Sequence, residues 1–276
     1  MRPEQIALTL YTLRDHCQDI NSLRSTLKIV KEIGYQAIQI SGVGVKDSMI
    51  IRELSEEAGL TICATHEPSN KILEEPTDVV ERLNILGCEH TAFPHPGPYA
   101  IDSEEACLEL AKKLESAGKI LRDGGKQLSY HNHELEFVRY ENQSILELIL
   151  TNTDAKFLQA ELDTFWVQKG GEDPVAWCRK MKGRLPLLHL KDYVVTLERE
   201  ILFGEVGTGS LDWDSIIKEA DAAGCEWFIV EQDSSTRDPF ESIKMSFDFL
   251  MQQTETLGAV SYTHLRAHET RGNLVC

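Results

Sequence analysis

The sequence predicts a single-domain α/β protein folded as a (β/α)8 TIM barrel. Three observations lead there. Short apolar, β-rich runs alternate with amphipathic helical stretches from residue 6 onward, the pattern of a parallel sheet whose strands are joined by helices. The 276 residues suit one such barrel, which typically takes about 250. Four runs end abruptly in groups that bind cations or move protons: Leu128–Phe137, Ala160–Trp166, Leu187–Asp192 and Trp227–Asp233. The strands of a parallel barrel open their C-terminal ends onto one face, so four such ends point to one site.

Ile6–Tyr11 reads as strand one. Asn21 or Ser22 is placed to cap the next helix, in which Leu23, Leu27, Val30 and Ile33 recur at helical spacing before Gly34 ends it. Ala37–Ile40 is strand two, Ile51–Ala58 a helix stopped at Gly59, and Thr61–His66 strand three. Helix Val79–Leu86 closes at Gly87, and Glu89–Phe93 is a weaker strand four before a Pro-rich loop. Ser103 is placed to cap a long helix to Arg122, and Gly124–Gly125 turns the chain into strand five, Gln127–Asn132. Strands six, seven and eight are Phe157–Asp163, Leu187–Lys191 and Trp227–Glu231, and a last helix covers Pro239–Met251. The barrel is set at residues 1–257. Residues 258–276 carry neither period and read as a non-native or disordered tail, so His264 and His268 are left out of the site.

The formal net charge of -17 opposes nucleic acid as a partner, since a phosphate backbone needs a basic footprint. It suits solubility and a site that holds a cation. Seven cysteines at 17, 63, 88, 107, 178, 225 and 276 form no C-x-x-C pair. An odd, scattered set argues against a zinc ribbon or disulfide framework and for reduced core thiols in a cytoplasmic protein. No basic leader precedes an apolar run and no stretch of about 20 apolar residues exists, so neither a signal peptide nor a membrane span is expected.

Asp163, His189 and Glu231 each end a β-like run, on strands six, seven and eight. Neighbouring strands lie about 4.8 Å apart, close enough for these side chains to meet around one divalent metal ion. Two carboxylates and an imidazole suit Mn, Mg, Co or Zn. A fourth ligand is expected from the strand-five region. Glu136 is favoured, because a third carboxylate suits an oxygen-rich substrate, and His131 is the alternative. Glu231, His131 and Glu136 are the candidates for proton transfer. His66, His133, Trp166 and Lys191 are candidates for contact with substrate. A plain turn is the expectation for Gly207–Gly209, ahead of a helix capped near Asp212.

The segments His131–Phe137, Leu162–Trp166, Leu188–Asp192, Val206–Trp213 and Val230–Asp233 together resemble the sugar phosphate isomerase/epimerase family, in the xylose isomerase-like barrel superfamily. The likeness runs from about residue 5 to 255 and includes the opening Leu8–Asp15. It implies one divalent metal ion, held by a Glu, an Asp, a His and a second Glu, the last three matching Asp163, His189 and Glu231. His131 stands where the first Glu is usual. The implied activity is isomerisation or epimerisation of a keto-sugar or sugar phosphate through an enediolate. A dehydratase or keto-glycoside lyase on the same site, or a non-catalytic sugar-binding barrel, is the alternative. An endonuclease IV-like activity is opposed by the charge. The partner implied is a small sugar, without nucleic acid or membrane, and a homo-oligomer is compatible because such barrels often pair.

Overall fold

The structure, a computed structural model, describes residues 1–254. The tail set at 258–276 lies outside the described residues. Eight parallel strands close on themselves: Ile6–Thr9, Ala37–Ile40, Thr61–His66, His90–Phe93, Gln127–His131, Gln159–Asp163, Leu187–Leu190 and Trp227–Val230. They are called strands one to eight below. Closure is made by strand one pairing with both strand two and strand eight, with Leu8 opposite Val230. Among the described residues, no helix is long and apolar enough to cross a membrane.

Several boundaries differ from expectation: the helices ending at Ala58 and Leu86 start three residues earlier, at Ser48 and Pro76, and two strands are shorter for local reasons. Strand one stops at Thr9 rather than Tyr11, because the Thr9 hydroxyl accepts the Tyr11 N–H and starts a 3-10 segment over Leu10–His16. Strand six starts at Gln159 rather than Phe157, because the N–H groups of Phe157 and Leu158 both turn back to the Asp154 carbonyl. The first long helix, Ile20–Ile33, is capped by Asp19 and not by Asn21 or Ser22. The Asp19 carboxylate accepts from both of those amides, at 2.8 and 3.0 Å. Ser103 caps Glu104–Asp123 as expected. The described chain ends in helix over 239–254.

Alternation along each strand divides the apolar residues into two sets. Leu8, Ile38, Leu188, Leu190 and Phe228 belong to the large core shared with the helices. Their neighbours Ala7, Ala37, Leu187 and Ile229 join Cys63 and Ala64 in a small separate cluster inside the barrel. The next inward layer toward the C-terminal face is polar: Gln39, His131, Glu161 and His189 are all buried. Six cysteines, from Cys17 to Cys225, are buried and free. Burial pushes the Cys17 and Cys88 thiols up to about 12.

Strand seven is followed by an antiparallel hairpin, Asp192–Val195 with Ile201–Gly204, that the sequence pattern does not announce. Asp192 anchors what comes after it. Its Oδ2 accepts from Gly207 N, Gly209 N and Trp213 Nε1 at 2.8 to 2.9 Å, and its Oδ1 from Tyr193 N at 2.8 Å. In the turn over Gly207–Gly209, positions 207 and 209 are glycine because neither has room for a side chain. Gly207 has φ +91 and packs under the Phe249 ring, while a Cβ at 209 would overlap the Asp192 carboxylate. Val206 N donates to Ser246 Oγ at 3.0 Å, tying the turn to the final helix, and Asp212 caps Trp213–Ala223. Asp192→Asn puts an NH2 group among these donors. We expect it to cost about 3 kcal/mol, because bonds to a buried charge are worth about 1.5–3 kcal/mol each; equal denaturant midpoints for the two proteins would refute the anchor role.

Candidate metal centre

Strand pairing sets the frame of the site. Asp163 lies opposite His189, and His131 opposite Glu161. Ile229 pairs with His189, so Glu231 emerges one step above it, its N–H held by the Leu190 carbonyl at 3.1 Å. His131, Asp163, His189 and Glu231 each offer a ligand atom within 4.8 Å of the others, and all four are buried. Three of them are the strand ends singled out in the sequence. A second group, His66, His131, Glu161 and His189, lies against the first and shares two of its members.

Glu161, not anticipated from the sequence, fills the centre of the polar layer. Its Oε2 lies 2.6 Å from His66 Nε2 and 3.1 Å from His131 Nδ1, and its Oε1 accepts from Gln39 Nε2 at 2.7 Å. Burial opposes its charge, but His189 and His66 hold its carboxyl well below the usual carboxylate range. His189 has Nδ1 2.8 Å from Glu231 Oε2 and Nε2 2.8 Å from Gln39 Oε1. Burial opposes charge here too, yet Glu161 and Glu231 outweigh it and raise the imidazole to about 10. Lys191 Nζ stands 2.8 Å from Glu231 Oε2 and 3.1 Å from both Asp163 Oδ2 and Asp233 Oδ1. Those carboxylates overcome its burial and raise its pKa. Burial lifts Asp163 to about 7 against the pull of Lys191, and burial lowers His131 to about 4.

Four carboxylates, Glu161, Asp163, Glu231 and Asp233, therefore surround Lys191 and His189. The acidic excess favours a further cation. Asp163 Oδ2 is buried at 3.1 Å from Lys191 Nζ with no directed hydrogen bond. A buried carboxylate oxygen so placed is short of a partner that an ion would supply. Two imidazoles and two carboxylates are donors that Mn, Co or Zn accept. The residues thus fit a divalent ion, with any bound ion sharing Asp163 and Glu231 with the lysine.

A family model described as xylose isomerase-like TIM barrel matches residues 27–253, which includes strands two to eight and all four cluster residues. The chain belongs to this family. This xylose isomerase-like barrel is 26% identical over 226 residues to inosose dehydratase of Clostridium beijerinckii, covering 76% of the chain and 70% of the relative. It is 28% identical to inosose dehydratase of Bacillus thuringiensis over 170 residues, where it spans only 56% of the relative. Among solved structures, a sugar phosphate isomerase/epimerase from Parabacteroides distasonis superposes with TM-score 0.78 at 23% identity, covering 92% of this chain and 95% of that one. An L-ribulose 3-epimerase superposes with TM-score 0.71 at 15% identity, covering 95% and 98%. These superpositions show the fold.

A cavity of about 800 Å³ opens over the centre of the xylose isomerase-like barrel, within the usual range for small-molecule pockets. His66, His131, His133, Lys191, Glu231 and Asp233 line it. The His133 ring is flanked by Trp166 and His95, with centroids at 5.3 and 5.4 Å. Burial, with His131 and Lys191 nearby, pushes it down to about 2, so it faces the cavity as a neutral imidazole. Trp166 is not among the lining residues; it packs on Phe165 and Phe203 and backs Lys191 Nζ, 5.1 Å from its ring. Lys191 pairs with Asp163, Glu231 and Asp233 rather than with Asp192, whose carboxylate is committed to the glycine turn.

Glu136 does not join the cluster. Its Oε1 accepts from Tyr130 Oη at 2.9 Å and its Oε2 from His133 N at 2.7 Å, closing a capping box on the 3-10 segment Glu134–Phe137. His131 is the strand-five residue brought to Asp163, His189 and Glu231. Glu136 instead fixes the backbone that presents His133. Burial raises its carboxyl to about 7. A carboxyl whose folded pKa is raised favours the fold below its unfolded value, and that contribution is lost as pH rises through about 7. Glu136→Gln, which stays neutral, should therefore be less destabilising at pH 8 than at pH 5. Melting at the two pH values checks the sign, and a deficit that grew with pH would refute it.

Proposed function

We propose that the protein is a divalent-metal-dependent enzyme that removes a proton next to the carbonyl of a small keto-sugar, ketose or sugar phosphate. The observation that carries this reading is the meeting of His131, Asp163, His189 and Glu231 within 4.8 Å beneath a cavity of small-molecule size. These four would hold the ion, with His131 in the role for which Glu136 is the favourite on sequence alone. When bound, the ion supplies Lewis-acid stabilisation of the charge that builds on the substrate's oxygens.

Glu231 is suited to be the base. It lines the cavity, and although burial opposes its charge, Lys191 and His189 keep it ionised well below the usual range. Lys191, held against Asp233, is the donor for an oxygen of the substrate. His133 offers a neutral nitrogen to a hydroxyl, and His66, anchored on Glu161, lines the same wall. Return of the proton to the same carbon from the other side gives epimerisation, and return to the neighbouring carbon gives isomerisation.

Dehydration is a second reading, favoured by the inosose dehydratases among the relatives. Proton removal would then be followed by loss of a β-hydroxyl, which takes up the proton removed from carbon and leaves as water, with Lys191 donating a hydrogen bond to it. One experiment separates the outcomes. Protein stripped with EDTA and reloaded with Mn²⁺ or Co²⁺ is incubated with keto-sugars in D2O and followed by NMR. Deuterium entering recovered sugar supports epimerase or isomerase chemistry, and loss of water supports dehydratase chemistry. Sugar binding with neither change, under every metal, would leave a binding barrel and sink the enzymatic reading.

A further inference from the structure

We propose that Gln39 is a positioning residue that decides which ring nitrogen of His189 faces the metal ion. The proposal rests on the metal-centre reading above. Gln39 comes from strand two, across the barrel from His189, and is fully buried. Its Nε2 donates to Glu161 Oε1 at 2.7 Å. The two ends of an amide have opposite roles, so the oxygen is left as the acceptor. That oxygen lies 2.8 Å from His189 Nε2. His189 must therefore carry a hydrogen on Nε2.

The reversed amide is excluded by its surroundings. It would set the Gln39 oxygen against a Glu161 oxygen, two acceptors at 2.7 Å. Glu161 cannot relieve this easily, because its other oxygen already faces His66 at 2.6 Å and His131 at 3.1 Å. The order Glu161, Gln39, His189 is thus a one-way chain of hydrogen bonds. It reserves Nε2 as a donor and leaves Nδ1, beside Glu231 Oε2 at 2.8 Å, as the nitrogen that can give a lone pair to an ion. Groups that hold a ligand's far nitrogen in this way commonly change metal affinity by about 10–100-fold when removed.

The test uses the whole chain, stripped of metal and titrated with Co²⁺ by calorimetry. Gln39→Leu keeps the volume and removes both bonds; its Co²⁺ affinity should fall by about 10–100-fold. Glu161→Gln allows the amide at 39 to reverse and should also weaken binding. The double variant Q39E/E161Q reverses the bond between 161 and 39, the new amide donating to the new carboxylate, but it again fixes an acceptor against His189 Nε2 and should bind more tightly than Glu161→Gln alone. A residue that only fills space would show no such rescue, and the double variant keeps the question open to test if Gln39→Leu fails to fold. Long-range 1H–15N spectra of the Zn²⁺-loaded wild type should show the His189 proton on Nε2. Gln39→Leu binding within threefold of wild type, no rescue in the double variant, or a proton on Nδ1 would each overturn the assignment. Wild-type protein that bound none of these ions would overturn the metal centre itself, a result distinct from the others.

Discussion

Glu231→Gln is expected to lower proton exchange by about 10²–10⁴-fold at saturating metal, the usual contribution of a positioned general base. The substitution keeps the shape and one acceptor oxygen. It removes the charge that sits 2.8 Å from both His189 Nδ1 and Lys191 Nζ. Metal affinity should fall as well, so the comparison needs enough Mn²⁺ to saturate both proteins. The measurement is deuterium incorporation into a turned-over sugar. Exchange within tenfold of wild type would show that another group takes the proton, and His133 and Asp233, both on the cavity wall, would be the next to test.

Lys191→Met should produce the largest loss of stability. The ammonium is 1% exposed and stands within 3.1 Å of Asp163, Glu231 and Asp233. Removing one partner from a buried ion cluster typically costs about 3–5 kcal/mol, because the remaining charges stay behind uncompensated. The pH dependence has a definite sign. The lysine's pKa is raised, so its contribution is complete below the ordinary lysine value and is missing from the variant throughout the neutral range. Asp163 is raised to about 7 against the pull of Lys191, so it is mostly ionised at pH 8 in the wild type, while the variant must there either keep it protonated or bear its charge uncompensated. Repulsion among the carboxylates therefore makes the variant's deficit larger at pH 8. A divalent ion should restore part of it. Melting curves at both pH values, with EDTA and with Mn²⁺, test this; a deficit unaffected by metal and pH would refute the shared-cation account.

The barrel is legible in the sequence because strand and helix periods alternate and because glycines at 34, 59 and 87 end helices where expected. Asp163, His189 and Glu231 are legible for a related reason: a charged group at the end of an apolar run has few places to go but the barrel mouth. Glu161 is harder to read because it sits inside strand six, where an isolated acid looks like an outward-facing position. Its spacing of two from Asp163 is the available signal, since alternate residues share a face. Gln39 is hidden in the same way within Ala37–Ile40. Glu136 misleads because sequence order shows a carboxylate near strand five but not that Tyr130 Oη and His133 N occupy it. The hairpin after strand seven escapes notice because its turn has Arg199, at φ 67, where a sequence signal would have been Gly or Asn.

The turn at Gly207 joins parts of the molecule that are far apart in function. One side grips Asp192, the residue after the buried lysine, and the other rests on Ser246 and Phe249 of the closing helix. That helix touches no reacting group, yet it acts as a backstop for the wall from which Lys191 reaches in. Loosening it, by trimming its last turns or shrinking Phe249, should be felt as a less well-placed ammonium before the barrel itself comes apart.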